Sequence, residues 1–216
     1  MGQSSAITVL TLLVTKMTSQ NKKITCFFLC LLLILTTSCR DKEAQKESHY
    51  QKGMEYVQGG NNKAAILEFR NAIKIDPKFA DGRYQLALAY LKTGEVKQSF
   101  KQFECAASLD PKNTDALLKS AEMYFLAKAN KESRERVDQI LAVAPDLSSA
   151  YALLANIELR EQKPDKAHNA ISRALELDPL NARYYLIQSA ILSARKDFDG
   201  AVKANLKAID LETDNI

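Results

Sequence analysis

Apolar residues in this chain recur at helical spacing, and that pattern is itself repeated every 34 residues. Pro77, Pro111, Pro145 and Pro179 mark the same place in successive copies. Cutting at the period gives five units, 46–79, 80–113, 114–147, 148–181 and 182–215. Each unit holds two amphipathic stretches separated by a short polar turn. The pattern predicts first helices over 47–58, 80–92, 114–126, 148–160 and 182–194. Second helices follow over 62–75, 96–109, 130–143, 164–177 and 198–211.

The breaks have physical causes. Proline cannot continue a helix and pushes the residue before it out of helical angles. Asp76-Pro77, Asp110-Pro111, Ala144-Pro145 and Asp178-Pro179 therefore end second helices. Gly60 and Gly94 fall in the turn inside a unit, where a left-handed backbone costs glycine little. Lys128, Gln162 and Lys196 replace them later, so those turns are expected to be more strained or differently shaped. Pro164 opens a helix, where its missing N–H costs nothing.

Side-chain size repeats as well. The eighth place of each unit holds Gly53, Ala87, Ala121, Ala155 and Ser189, and the twentieth holds Ala65, Ser99, Ser133, Ala167 and Ala201. Small residues there let paired helices approach closely. Large ones fill the gaps: Tyr56, Tyr90 and Tyr124 at the eleventh place, Phe69, Phe103, Val137 and Ile171 at the twenty-fourth. Ile140, Glu158, Asn205 and Thr213 depart from the pattern, and Thr213 stands where a proline is due.

Gly53-x-x-Tyr56 with Ala65-x-x-x-Phe69-x-x-Ala72, and Ala87-x-x-Tyr90 with Phe103-x-x-Ala106, resemble the tetratricopeptide repeat. The resemblance runs from 46 to about 212. It implies an all-α fold, a right-handed α-solenoid of five tandem hairpins, with the first helices on the concave face. It also implies a protein or peptide partner held in that groove. The matching inner positions are Tyr50, Met54, Tyr84, Leu88, Leu118, Glu122, Ala152, Asn156, Leu186 and Ala190. Tyr, Met and Leu suit burial of apolar partner side chains, and Glu122, Asn156 and Arg183 would fix orientation. Some family members grip a C-terminal carboxylate with Lys and Asn. Tyr50, Met54 and Gln85 occupy those places here, which disfavours that mode.

The chain opens differently. Lys22-Lys23 precede an apolar run, Ile24 to Leu35, followed by Thr36, Thr37, Ser38 and Cys39. A basic start, a short apolar core and small residues predict a secretory signal over 1–38, and a start at Met17 would give it ordinary length. The run is too short to span a membrane as a helix. Cys39 after small residues resembles the lipobox of bacterial lipoproteins, which implies lipidation at Cys39, a membrane anchor and a periplasm-facing chain; Arg40 after it favours the outer membrane. Ordinary cleavage that leaves Cys39 as a thiol is the alternative. Residues 40–45 read as a short charged tether.

Composition narrows the function. With 46% hydrophobic and 26% charged residues the chain is globular rather than disordered. Net charge is +4, but Lys16, Lys22 and Lys23 lie before Cys39 and leave 27 basic against 26 acidic residues in the remainder. That excludes a bulk pull toward nucleic acid. His49 and His168 have no metal-ligand spacing, Gly59-Gly60-Asn61-Asn62 reads as a turn, and Cys105 reads as a buried structural thiol. Glu132, Glu135 and Asp138 beside Arg134 and Arg136 read as a solvated charged face. No cofactor and no enzymatic activity are expected.

The expected role is a lipid-anchored scaffold supporting envelope assembly or polysaccharide or protein export. It would be similar to repeat lipoproteins of exopolysaccharide and exosortase-linked loci, or to pilotins of pilus assembly. The alternative is that the chain is the N-terminal docking arm of a larger envelope enzyme or sensor. Phe198, Val202, Leu206 and Ile209 would lack a neighbour after the last helix, which suggests a fragment, a covering partner or self-association.

Overall fold

The computed structural model describes residues 41–213, and every described element is helical. The leader, the Met17 start and Cys39 lie outside the described residues. The first helix, α1, is described over 41–58. The others are α2 (Asn62–Ile75), α3 (Ala80–Lys92), α4 (Val96–Leu109), α5 (Thr114–Leu126), α6 (Asn130–Val143), α7 (Ser148–Arg160), α8 (Pro164–Leu177), α9 (Ala182–Ala194) and α10 (Phe198–Thr213).

Two boundaries differ from those read in the sequence. The stretch read as a tether is already helical at 41, because Asp41 to Lys46 are good helix formers apart from the leading aspartate. Lys46 is buried there, with its ammonium 4.5 Å from the centre of the Phe79 ring. At the other end α10 runs to Thr213, since no proline stops it at the place where four earlier units carry one.

Small residues at the eighth and twentieth places meet as their size requires. Ser99 and Ser133 are fully buried and donate to the carbonyls of Ala87 and Ala121, each at 2.8 Å. Gly53 is the extreme case: a Cβ there would stand 2.5 Å from the Phe69 ring. Around these contacts the core is built from Phe69, Phe103, Val137 and Ile171, all with no exposure. In the third unit Val137 is smaller than Phe69, Phe103 and Ile171 at the same place, while Ile140 is larger than the alanine of other units. Both are fully buried, so the pair keeps the volume of Phe103 with Ala106.

The turns keep one shape throughout. Lys128, Gln162 and Lys196 have φ of 61°, 62° and 65°, close to Gly60 at 73° and Gly94 at 81°. The later turns are thus not reshaped. They carry left-handed strain that glycine would avoid, about 1–2 kcal/mol each.

Neighbouring units meet through the twenty-first place of one and the eleventh of the next, and the chemistry of this joint changes along the stack. Ile66 and Tyr90 share one apolar cluster. Phe100 and Tyr124 meet edge to face at 4.9 Å. Arg134 and Glu158 form an ion pair at 2.7 Å, with a second bond from Arg134 to Glu161 at 3.1 Å. Glu158, a departure from the repeat pattern, is therefore the answer to Arg134. Arg136 reaches the other way, to Glu104 at 2.9 Å. The charged face read on α6 holds for Glu132, Glu135 and Asp138, which are exposed, and is corrected for Arg134 and Arg136, which are half-buried links between units. Glu104 also accepts from Ser120 and Tyr124. Burial pushes its carboxyl up, but the bonds from Arg136, Ser120 and Tyr124 outweigh that and hold it below 4.5.

The first helices of successive units touch one another, α5 with α7 and α7 with α9. The stack therefore closes toward its first helices, whose free side is the inner face. Among the described residues no helix is long and apolar enough to cross a membrane.

Candidate functional site: a cavity on the inner face

Four of the expected groove residues, Ala152 among them, come together. Glu122 on α5, Asn156 on α7 and Arg183 on α9 line one open cavity of about 480 Å³. Its floor and walls are Ala152, Leu153, Phe125, Leu126, Tyr184 and Ile187, and Ser149 and Asn181 complete its rim. Ligand cavities commonly have this make-up, mostly apolar with a few polar groups converging.

The cause of the cavity is visible at the fifth place of the units. That place holds Tyr50, Tyr84, Leu118, Ala152 and Leu186 in turn. Tyr50 packs edge-on against Phe79 at 5.1 Å and tilted against Phe69 at 5.9 Å. Tyr84 packs edge-on against Phe103 at 5.7 Å. Each ring fills the inner face of its own unit. In the fourth unit the ring is replaced by a methyl group, and the space stays open above Ala152.

The other expected groove residues divide accordingly. Tyr50, Met54, Tyr84 and Leu118 are half-buried against the core, so the structure uses them largely as packing. Leu88 is half-buried, whereas Leu186 is 47% exposed and stands outside the cavity lining. Ser149, Leu153, Phe125, Tyr184 and Ile187 were not singled out from sequence. They sit at the second, third, sixth and twelfth places of their units; the third place holds the buried Gly82, Ala116 and Ala150 in the second to fourth units. The shrinkage from Tyr84 to Ala152 was the readable signal.

Charge at the site is uneven. Glu122 is already paired with Lys119 at 2.8 Å. Arg160 is occupied, lying 3.3 Å from the centre of the Phe125 ring and donating to the Phe125 carbonyl. Arg183 is exposed and makes no ion pair with any described residue. Farther up the face, burial first and then Asp81 and Glu47 push the Tyr50 hydroxyl above its ordinary value. Burial, Asp115 and Glu122 do the same for Tyr84.

The remaining chemistry is sparse. Nδ1 of His49 lies 2.6 Å from Glu68, an ion pair if the ring is protonated. Cys105 is half-buried rather than enclosed and lines a shallow cleft with Pro77, Arg83 and Glu104. Among the described residues no group of His, Cys, Asp and Glu is placed to hold a metal ion.

Stacked helical hairpins with an open inner face define a helical-repeat scaffold. Family models described as TPR repeat and Tetratricopeptide repeat match residues 53–94, 80–113 and 152–215. The chain belongs to the tetratricopeptide-repeat family, whose members are typically scaffolds without enzymatic activity. No curated protein matches it. Among solved structures it is similar to MamA of Desulfovibrio magneticus, at 18% identity and a TM-score of 0.70, over 79% of this chain and 96% of that one. It is also similar to PilF of Pseudomonas aeruginosa, at 22% identity and a TM-score of 0.67, over 79% and 78% of the two chains. A third is YrrB, described as a tetratricopeptide protein with an unusual peptide-binding site, at 16% identity and a TM-score of 0.65, over 83% and 92%. At these identities the likeness is one of fold.

Proposed function

We propose that this chain is a scaffold that holds an extended segment of another protein along its inner face, anchored over Ala152. The cavity that gathers Glu122, Asn156 and Arg183 carries this reading. An apolar partner side chain would enter between Phe125, Leu153 and Ile187, and the polar rim would set its orientation. The test uses short peptides selected from a displayed random library on the wild-type protein. Ala152→Tyr restores the residue that the first two units carry and fills the cavity. It should weaken the selected peptides about tenfold or more, with the melting temperature kept. Equal affinity for the filled protein would end the groove reading.

The leader supports the setting. Lys22-Lys23, the Ile24–Leu35 run and Cys39 fit a chain exported and lipidated at Cys39, facing the periplasm and held at the outer membrane. The scaffold would then serve envelope assembly or export. Palmitate labelling lost in Cys39→Ser supports the anchor, and label retained in that variant contradicts it.

The outer face of α10 favours self-association as a second contact. Phe198, Val202, Leu206 and Ile209 are each more than half exposed. Leu206 stands where the earlier units carry Arg70, Glu104, Asp138 and Ser172. The outer face of α1 offers the exposed Lys52 and Glu55 around Tyr56, a poor match for that strip. A second copy meeting it with the same strip matches better. Light scattering across concentration should show a dimer that Leu206→Glu dissolves; a constant monomer mass would reject it.

A further inference from the structure

The second place of each unit lies on the inner face. Ser149 and Arg183 occupy it on the cavity rim. Asp81 and Asp115 occupy it close enough to Tyr50 and Tyr84 for their charge to act on those hydroxyls. Read down the stack, this row is Glu47, Asp81, Asp115, Ser149 and Arg183. It runs from three carboxylates through a neutral hydroxyl to one guanidinium.

Asp81 and Asp115 stand in the first turns of their helices, where the macrodipole favours a carboxylate. No ion pair among the described residues ties up either of them or Arg183, so all three stay available to a ligand. On the second helices, by contrast, Arg134, Arg136 and Arg173 all have carboxylate partners. A uniformly charged ligand would meet repulsion at one end of this face. A ligand with separated charges of opposite sign satisfies both ends at once.

Resting on the groove reading, we propose that the inner face selects a charge-segregated peptide segment. Its acidic residue pairs with Arg183, its apolar residue fills the cavity over Ala152, and its basic residues lie against Asp115 and Asp81. Adjacent first helices stand roughly 10 Å apart, so Asp115 and Asp81 lie roughly 20 and 30 Å from Arg183. An extended chain covers that in about six and nine residues. The segment is therefore short, with basic residues at those separations from its acidic one. The charge row fixes which end lies where, whichever way the main chain runs.

The same displayed library tests this on four proteins: wild type, Ala152→Tyr, Arg183→Glu and the double variant Asp81→Lys with Asp115→Lys. Peptides enriched on wild type and lost on Ala152→Tyr should carry an acidic residue about six to nine positions from basic ones. Arg183→Glu should replace the acidic preference with a basic one and leave the other end unchanged. The double lysine variant should reverse only the basic preference. All four replaced positions are exposed or line the open cavity, and circular dichroism melts confirm that each protein folds. Peptides that need the open cavity but show no charge separation, or a preference unchanged in Arg183→Glu, would overturn the proposal and leave the groove intact. Absence of enrichment, or enrichment untouched by Ala152→Tyr, would remove the groove reading and this proposal with it.

Discussion

The first two units and the last three solve the same geometric problem with different chemistry. Upstream, the inner face is filled by Tyr50 and Tyr84, the turns use Gly60 and Gly94, and the joints are Ile66 with Tyr90 and Phe100 with Tyr124. Downstream, the face opens over Ala152, the turns force Lys128, Gln162 and Lys196 left-handed, and one joint becomes Arg134 with Glu158. In a stacked array stability is close to a sum of unit and interface terms, so one end can be loosened without unfolding the other. The downstream half gives up the inward ring at Ala152 and one apolar joint and accepts strained turns, and that is where the cavity lies. Structure and site compete for the same inward positions, and the upstream half spends them on structure.

The joint at Arg134 gives the largest expected effect. Arg134→Ala leaves Glu158 buried, and its Oε2 already has no partner among the described residues. Losing one member of such a pair should cost about 3–5 kcal/mol. Urea unfolding should show it, and a loss under about 1 kcal/mol would mean that the ion pair does not hold the joint. The double change Arg134→Phe with Glu158→Tyr copies the upstream joint, and recovery of most of that loss would show that the two joints are interchangeable solutions.

Acid offers a graded version of the same contrast. The Glu104 carboxyl lies below 4.5 in the folded chain, so its links to Arg136, Ser120 and Tyr124 add stability above that value. The contribution is lost as pH falls through the folded value. Glu104→Gln should be less stable than wild type near neutrality, and the gap should narrow on acidification below 4.5. A gap that is constant with pH would assign no role to the ionised carboxylate.

The strained turns set the smallest expected effect. Lys128→Gly or Lys196→Gly should each raise stability by about 1 kcal/mol, since φ suits glycine and the side chains are exposed. Thermal melts would measure it. The reverse change, Gly94→Lys, should lower stability by a similar amount, and no change in either direction would remove strain from the comparison.

Much of this was legible in the chain. Helix ends followed from proline and from the turn glycines, whereas the sequence leaves strain or a new shape open at Lys128, Gln162 and Lys196, and the structure takes strain. The close contact at Gly53 and Phe69 followed from paired small and large positions. What the sequence hid was pairing at a distance. Glu158 looks like a flaw in the repeat until Arg134, 24 residues earlier, is seen to reach it. The charges on α6 read as solvated because helical spacing shows neighbours on one helix and not those on the next. Tyr50 and Tyr84 read as partner contacts, since a position that faces inward can still be filled by its own unit. The cavity needed three first helices at once, so only the fall from Tyr84 to Ala152 hinted at it.

One measurement bears most directly on the open inner face. A selected peptide is titrated into uniformly nitrogen-15-labelled protein, and amide shifts are followed by NMR. The expected result is that the largest shifts cluster on the inner sides of α5, α7 and α9, around Leu153, Asn156, Arg183 and Ile187. Shifts confined to the second helices, or to the outer face of α10, would contradict it.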